Sequence, residues 1–295
     1  MKVLFNSKFL NHNVDSHAEG SYRIRAFSDK YEDIDSDGEE FISLVHSEAY
    51  IDQIKKSCMS SETLAEVDLT PESYEAAKSA VGLTIRASEY GDFAVVRPPG
   101  HHAGRERSAG FCFFNNIAIA AQKLVNQGKK VFILDIDGHH GDGTQSIFYD
   151  TDQVLFCSIH QLWTYPYTGF AEERGTGKGE GYTLNLPMIS GAGDMEFYDK
   201  LNVAIKAARE FEPDVVGVSA GFDAYADDKL LSLKLSQKGY YECGLRLRRA
   251  FPNIFAVLEG GYHDDIMECV EAFIEGINVG ARPRKNLYDS DMSVG

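Results

Sequence analysis

Short apolar runs recur along the chain at Val3–Phe5, Phe93–Val96, Val131–Ile136, Val154–Ile159, Val215–Val218 and Ile254–Leu258, each leading into glycine or polar residues. They are β-branched and aromatic and do not alternate with polar residues, the pattern of strands buried on both faces of a parallel sheet. Helical patterns lie between them. Thr70-Pro71-Glu72 reads as an N-cap, a proline at the first helical position and an acidic first turn, and it predicts a helix over Ser73–Ser88. Asn116–Asn126 is rich in Ala and Ile, with Gly128 as its stop. Asp194 is the expected cap of a helix running to Phe211 before Pro213, and Ser236 of one ending near Phe251-Pro252. Strands alternating with helices predict an α/β fold: a single open, mostly parallel sheet with helices on both faces and right-handed crossovers. No repeat or Pro/Gly/Ser-rich linker divides the chain, so one domain is expected over 1–280. Residues 281–295 lack an apolar period and read as a tail or a short packing element.

Ligands of open α/β sheets gather at the carboxyl ends of the strands. After Phe93–Val96 comes Arg97-Pro-Pro-Gly-His101-His102, and after Val131–Leu134 come Asp135, Asp137, His139, His140 and Asp142. Ser158 and His160 follow the next strand, Asp223 the next, and Glu259-Gly-Gly-Tyr262 the last. Five of the nine histidines fall at three such ends, a concentration that points to a site.

In an extended stretch residues 135, 137 and 139 share a face, so Asp137 and His139 can reach one ion together. A histidine with carboxylates and no thiolate suits catalytic zinc, whose fourth position stays open for water. Asp223, ending a different strand, is the natural third ligand. His101 and His102 follow a backbone-fixing Pro-Pro-Gly turn; adjacent histidines can serve as ligands, but the water also needs a base, and imidazole suits that task. Asp135 and Asp142 are left to accept Nδ1–H bonds from one histidine each and so fix the tautomers. Tyr262 can donate to the oxyanion of a tetrahedral intermediate.

Composition narrows the partners. With 45 Asp+Glu against 29 Lys+Arg and a net charge of −16, the chain lacks the basic balance of a nucleic-acid binder; the charge is compatible with a cationic substrate and equally with a simple role in solubility. Five scattered cysteines without a CxxC pair read as reduced thiols. The absence of a signal peptide or a spanning apolar run predicts a cytoplasmic protein with no membrane partner.

The segments RPPGHHAGRERSAGFCFFNNIAIAAQ (97–122), ILDIDGHHGDGTQSIFY (133–149), SAGFDAYADD (219–228) and LEGGYH (258–263) resemble the histone deacetylase and acetylpolyamine amidohydrolase superfamily. Shorter matches at 17–24, 45–51 and 70–77 extend the resemblance over about residues 3–280. Arg97-Pro-Pro-Gly-His-His looks closest to class II and prokaryotic members.

The resemblance implies an arginase/deacetylase-like fold and one zinc per chain held by Asp137, His139 and Asp223. His102 would be general base and then acid, His101 its electrostatic partner, with Asp142 and Asp135 as their respective carboxylates. Tyr262 would polarise the acetamide carbonyl. A structural potassium ion is implied near Asp135 and Ser158, with a second monovalent site near Phe148, Thr151, Val154 and Tyr182. Gly110, Phe111 and an aromatic of the Trp163–Tyr167 loop, represented by Tyr165, would line the substrate tunnel. Leu230 matches the rim, and Glu19 is expected near the mouth. The family usually carries a bulky residue where this chain has Gly138; the expectation is added backbone freedom in the ligand strand.

The resulting expectation is a zinc-dependent hydrolase that splits an N-acetyl amine, acetyl-lysine or acetylpolyamine, into acetate and free amine. Two alternatives stand beside it. One is an arginase-type ureohydrolase with two manganese ions, for which the segment around Asp223 lacks a closely spaced carboxylate series. The other is a catalytically idle acyl-amine binding module. Oligomeric state is not legible.

Overall fold

The computed structural model describes residues 1–12 and 18–281. His17, within the resemblance at 17–24, and all of the proposed tail beyond Ala281 lie outside the described residues. In chain order the strands are β1 (Val3–Leu4), β2 (Thr63–Leu64), β3 (Val67–Asp68), β4 (Phe93–Ala94), β5 (Val131–Asp135), β6 (Val154–Ser158), β7 (Thr183–Asn185), β8 (Val215–Ala220) and β9 (Ile254–Leu258). The helices are α1 (Tyr22–Ser28), α2 (Glu39–Ile42), α3 (Glu48–Met59), α4 (Pro71–Tyr90), α5 (Asn116–Asn126), α6 (Asp142–Phe148), α7 (Asp194–Phe211), α8 (Gln237–Ala250) and α9 (Ile266–Gly280).

Among the described residues, seven strands form one all-parallel sheet in the order β1-β4-β9-β8-β5-β6-β7, and β2 and β3 make a separate antiparallel hairpin. Every residue of β5, β6, β8 and β9 is buried, as the unbroken apolar runs require. Helices α4 and α5 pack together against the sheet, and α7, α8 and α9 form a second group. One buried apolar cluster runs from Leu4 to Ile277.

The local signals act as expected at most helix ends. Ser73 Oγ takes the Thr70 N–H at 3.0 Å, closing the start of α4 behind Pro71. Ser236 Oγ accepts the Gly239 N–H at 3.2 Å and caps α8. Beyond α5, Gly128 adopts φ +80°, a left-handed conformation that glycine enters without Cβ strain. Asp194 departs from expectation. Gly193 is the N-cap, and the Asp194 carboxylate instead accepts the Ser236 N–H and O–H at 2.9 and 2.6 Å, fastening α7 to α8. A long-range pair of donors outcompetes its own helix terminus.

Candidate metal centre and active site

The strand order explains why distant segments meet. β4, β9, β8, β5 and β6 are consecutive neighbours, so the loops leaving their carboxyl ends share one rim. Asp135 at the end of β5 is in register with Ser158 on one side and Ser219 on the other. From there the chain carries Asp137 and His139 forward, while β8 delivers Asp223.

One ligand atom from each of Asp137, His139 and Asp223 lies within 4.8 Å of the others, and all three residues are buried. His139 Nδ1 stands 2.6 Å from Asp223 Oδ2 and 3.3 Å from Asp137 Oδ1. Backbone N–H groups hold the carboxylates from behind: Gly138 donates to Asp223 Oδ1 at 2.6 Å and Gly260 to Asp137 Oδ2 at 2.7 Å. Burial disfavours a charge on His139, yet Asp223 and Asp137 outweigh it and lift its pKa to about 10. Burial and the neighbouring Asp137 charge push Asp223 up to about 7. Two carboxylates with one imidazole therefore demand more positive charge than the imidazole supplies. A divalent ion on this oxygen–nitrogen–oxygen set fits that demand and the donor chemistry of zinc.

Gly138 is explained by contact rather than by freedom. Its φ is not left-handed, and a Cβ there would lie 2.3 Å from Leu231 Cδ1 and 3.0 Å from Asp223 Oδ1. Leu231, itself buried, fills the space from the loop after Asp223. The expectation of a looser ligand strand is thus corrected.

Beside the triad, His101 and His102 pack with ring centroids 4.0 Å apart. His101 Nδ1–H donates to Asp135 Oδ2 at 3.0 Å, and His102 Nδ1–H to Asp142 Oδ1 at 2.7 Å. Burial opposes a charge on His101, but Asp137 and Asp135 outweigh it and hold its pKa above the ordinary value. Burial, reinforced by His101, drives His102 down to about 3, so its Nε2 is a free base near neutral pH. Burial also opposes ionisation of Asp142, but bonds from His102 and Arg107 bring it to about 2. Arg107, which nothing in the sequence pattern singled out, clamps Asp142 Oδ2 at 2.5 Å.

These groups open onto a cavity of about 470 Å³ lined by His102, Gly110, Phe111, His139, Tyr165, Leu230 and Tyr262, together with Ala18, Glu66, Thr164 and Tyr167. Gly110 has φ +50°, and a Cβ there would meet His102 Cδ2 at 2.5 Å. Tyr165 stands edge-on to the His102 ring at 5.1 Å, and Phe111 edge-on to Tyr262 at 6.0 Å. Burial raises the Tyr262 phenol well above its usual pKa, so it remains an O–H donor. Leu230 is 45% exposed at the rim.

Glu19 is not at the mouth. It is fully buried, with Oε1 accepting Arg97 Nε at 2.5 Å and Arg23 Nη1 at 2.8 Å, and Oε2 accepting Arg97 Nη2 at 2.9 Å. Two buried guanidiniums require a carboxylate, and Glu19 is that partner. Arg23 in turn donates to the Glu259 and Gly261 carbonyls at 2.6 Å each and lies 4.9 Å from the Tyr262 ring centre. Among the described residues, the carboxylate that lines the cavity is Glu66, on the β2–β3 turn, docked there by the Phe111 N–H on the Ala65 carbonyl at 3.0 Å. No short-range pattern marks it, because the hairpin reaches the rim only through the tertiary fold.

Glu259, which the sequence pattern marks only as the start of a Glu-Gly-Gly turn, braces the site. Its Oε2 accepts the Gly100 and His101 N–H groups at 2.7 and 3.1 Å and its Oε1 the Ser219 hydroxyl at 2.9 Å, bracing the turn that carries both histidines. At the expected potassium position Ser158 Oγ lies 2.9 Å from His160 Nδ1, and Asp135 Oδ1 accepts the Asp137 N–H at 3.1 Å. At the second expected position, the Tyr182 carbonyl accepts the Phe156 N–H at 2.9 Å and the Phe148 carbonyl the Thr151 N–H at 3.4 Å.

Comparison with known proteins follows the same lines. The model of the histone deacetylase domain matches residues 18–277. A probable deacetylase of Archaeoglobus fulgidus is 45% identical over 206 residues, 64% of this chain and 56% of that protein. Acetylpolyamine amidohydrolase 1 of Pseudomonas aeruginosa is 40% identical over 226 residues, 72% of this chain and 63% of that one. The chain thus spans somewhat over half the length of these two relatives. Among solved structures, the HD domain of HDA15 superposes with a TM-score of 0.88 at 32% identity, covering 95% of this chain and 91% of that one. Among the described residues, no helix is long and apolar enough to cross a membrane.

Proposed function

The chain belongs to the histone deacetylase family, and from that premise we propose that it is a zinc-dependent amidohydrolase that releases acetate from an N-acetyl amine. The observation that carries the reading is the convergence of Asp137, His139 and Asp223 on one point, with His139 lining the same cavity as His102 and Tyr262. Zinc on that triad would polarise the amide carbonyl and lower the pKa of water. His102, neutral and held in one tautomer by Asp142, takes the proton from water and later returns it to the leaving nitrogen. His101, paired with Asp135, stays charged beside it and favours the developing negative charge. The Tyr262 hydroxyl donates to the oxyanion. Gly110, Phe111 and Tyr165 form the walls that hold an extended alkyl chain. A potassium ion beside Asp135 and Ser158, where β5 and β6 meet in register, belongs to the same proposal.

For the substrate, we propose a small acetylated amine carrying a second positive charge. Glu66 at the rim supports it, as does the acetylpolyamine activity named for the Pseudomonas relative. The test is kcat/KM measured on acetylated putrescine, cadaverine and spermidine against acetyl-lysine peptides, with metal content by elemental analysis. About one zinc per chain and turnover of an acetylated amine are expected. Two manganese ions per chain would support the ureohydrolase reading instead, and no turnover on any of these amides would sink the proposal.

A further inference from the structure

Asp228 lies outside the cavity lining, yet it ties together two of the elements that shape the cavity. One carboxylate oxygen, Oδ2, accepts the backbone N–H of Tyr262 at 2.7 Å. The other, Oδ1, accepts the N–H of Leu230 at 2.7 Å and of Leu231 at 3.3 Å. Leu230 is the exposed rim residue, and Leu231 is the side chain that fills the space beside Gly138 between two of the triad residues. A single side chain on the loop after β8 thus crosses to the turn after β9 and fixes the phenol-bearing residue against the triad's own loop.

Two contacts hold the Tyr262 ring. Arg23 lies over one face and Phe111 meets it edge-on. The backbone before it is tied through Gly260, whose N–H donates to Asp137 Oδ2 at 2.7 Å, and through the Gly261 carbonyl, which accepts Arg23 Nε at 2.6 Å, while Gly261 itself stands at φ +125°. The Asp228 bond adds the tie on the Tyr262 N–H itself and carries it to the Leu230–Leu231 loop. An oxyanion donor acts only when its hydroxyl is held where charge develops, and an error of about 1 Å costs on the order of 100-fold in rate.

We propose that Asp228 is a positioning residue for Tyr262, its carboxylate setting the distance between the tyrosine hydroxyl and the triad by bridging the Tyr262 N–H to the Leu230–Leu231 loop. The inference rests on the amidohydrolase reading for its consequence in turnover, but the restraint itself is a structural fact that does not depend on it. In Asp228→Asn an amide NH₂ replaces one oxygen, so one of the two backbone attachments faces a donor and is lost. Asp228→Ser shortens the side chain so that it no longer spans both.

The test is a double-mutant cycle on kcat with Y262F, run for D228N and D228S, with melting temperature and metal content measured on every variant. The expected result is a loss of about 10- to 100-fold in kcat for D228N or D228S alone. Added to Y262F, the same changes lower kcat less than about twofold, because the group they position is already gone. An unchanged kcat in D228N and D228S, or the same fold-loss with and without Y262F, overturns the proposal. Hydrogen exchange read by mass spectrometry on the same proteins needs no turnover. D228S should speed exchange at residues 260–263, D228N at whichever of 229–232 and 260–263 loses its acceptor, and both should leave 133–139 unchanged. Unaltered exchange at 260–263 in D228S also overturns it. Absence of amidase activity in the unmutated protein would sink the functional reading, while the exchange result would still decide the role of Asp228.

Discussion

Gly138→Ala is the sharpest test of how the triad is packed. A Cβ at this position falls 2.3 Å from Leu231 Cδ1, more than 1 Å inside the ~3.5–4.0 Å at which carbon atoms rest against each other. It also falls 3.0 Å from Asp223 Oδ1 and 3.3 Å from the Ala224 backbone nitrogen, so the methyl group cannot turn away from Leu231 without pressing on the triad. Leu231 is only 8% exposed and has little room to retreat. Overpacking of this kind costs about 1–3 kcal/mol. Because the Gly138 N–H holds Asp223 Oδ1, any backbone shift that relieves the clash also displaces one of the proposed metal ligands. G138A should therefore unfold at lower urea concentration and lose metal to a competing chelator sooner than the unmutated protein. Leu231→Ala alone leaves a cavity and is destabilising by about 2–5 kcal/mol. In the double variant the new methyl group occupies part of that cavity, so the combined loss should fall short of the sum by about 1–2 kcal/mol. A G138A protein with unchanged stability and metal retention, or a double variant additive within about 0.5 kcal/mol, would refute the idea that Leu231 takes the place of a side chain at 138.

Further outcomes follow from the same geometry. Y262F should lower kcat by about 100- to 1000-fold while leaving metal content intact, as expected for loss of an oxyanion donor; near-normal turnover would exclude that role. Stripping the metal should lower the melting temperature at neutral pH, since Asp137 and Asp223 then face each other without a divalent cation; a chelator series read by differential scanning fluorimetry measures it. His46, buried with Nδ1–H donating to the Arg105 carbonyl and Nε2 accepting the Asn115 N–H, is pushed by burial down to about 4. Between about pH 6.5 and 4 the unfolded chain binds a proton on this imidazole that the folded chain does not, so stability falls as pH falls through that window, by up to roughly 3 kcal/mol. The stability advantage of the unmutated protein over His46→Gln should shrink accordingly, and a constant difference from pH 7 to 4 would contradict it.

The strands and the long amphipathic helices were legible because their signals are local. Asn116–Asn126 carries its own periodicity and stop, and the five apolar runs from Phe93 onward each lie within or overlap an observed strand. Elements with weaker local signals are not among those the pattern predicts: the two-residue β2 and β3, the edge strand β7, the short α6, α3 despite its Ser47 cap, and α9, whose N-cap makes no side-chain bond. Asp137 and His139 could be paired from spacing on one extended segment. Asp223 could not, since only the adjacency of β8 to β5 brings it there.

The same division holds for the site as a whole. Residue types and their order along the chain determined the kind of chemistry: carboxylates and histidines at strand ends, with a phenol after a glycine pair. Those are properties of the covalent chain and its local preferences. Which carboxylate faces solvent, which is buried against guanidiniums and which lines the cavity was decided by the tertiary structure alone. Glu19 and Glu66 are alike as residues, yet Glu19 neutralises Arg23 and Arg97 in the interior while Glu66 stands at the rim. Gly138 makes the point most directly, because the space it leaves is taken by Leu231, 93 positions further along the chain. Burial, charge pairing and steric filling depend on distances between segments remote in sequence, and these distances exist only once the chain has folded.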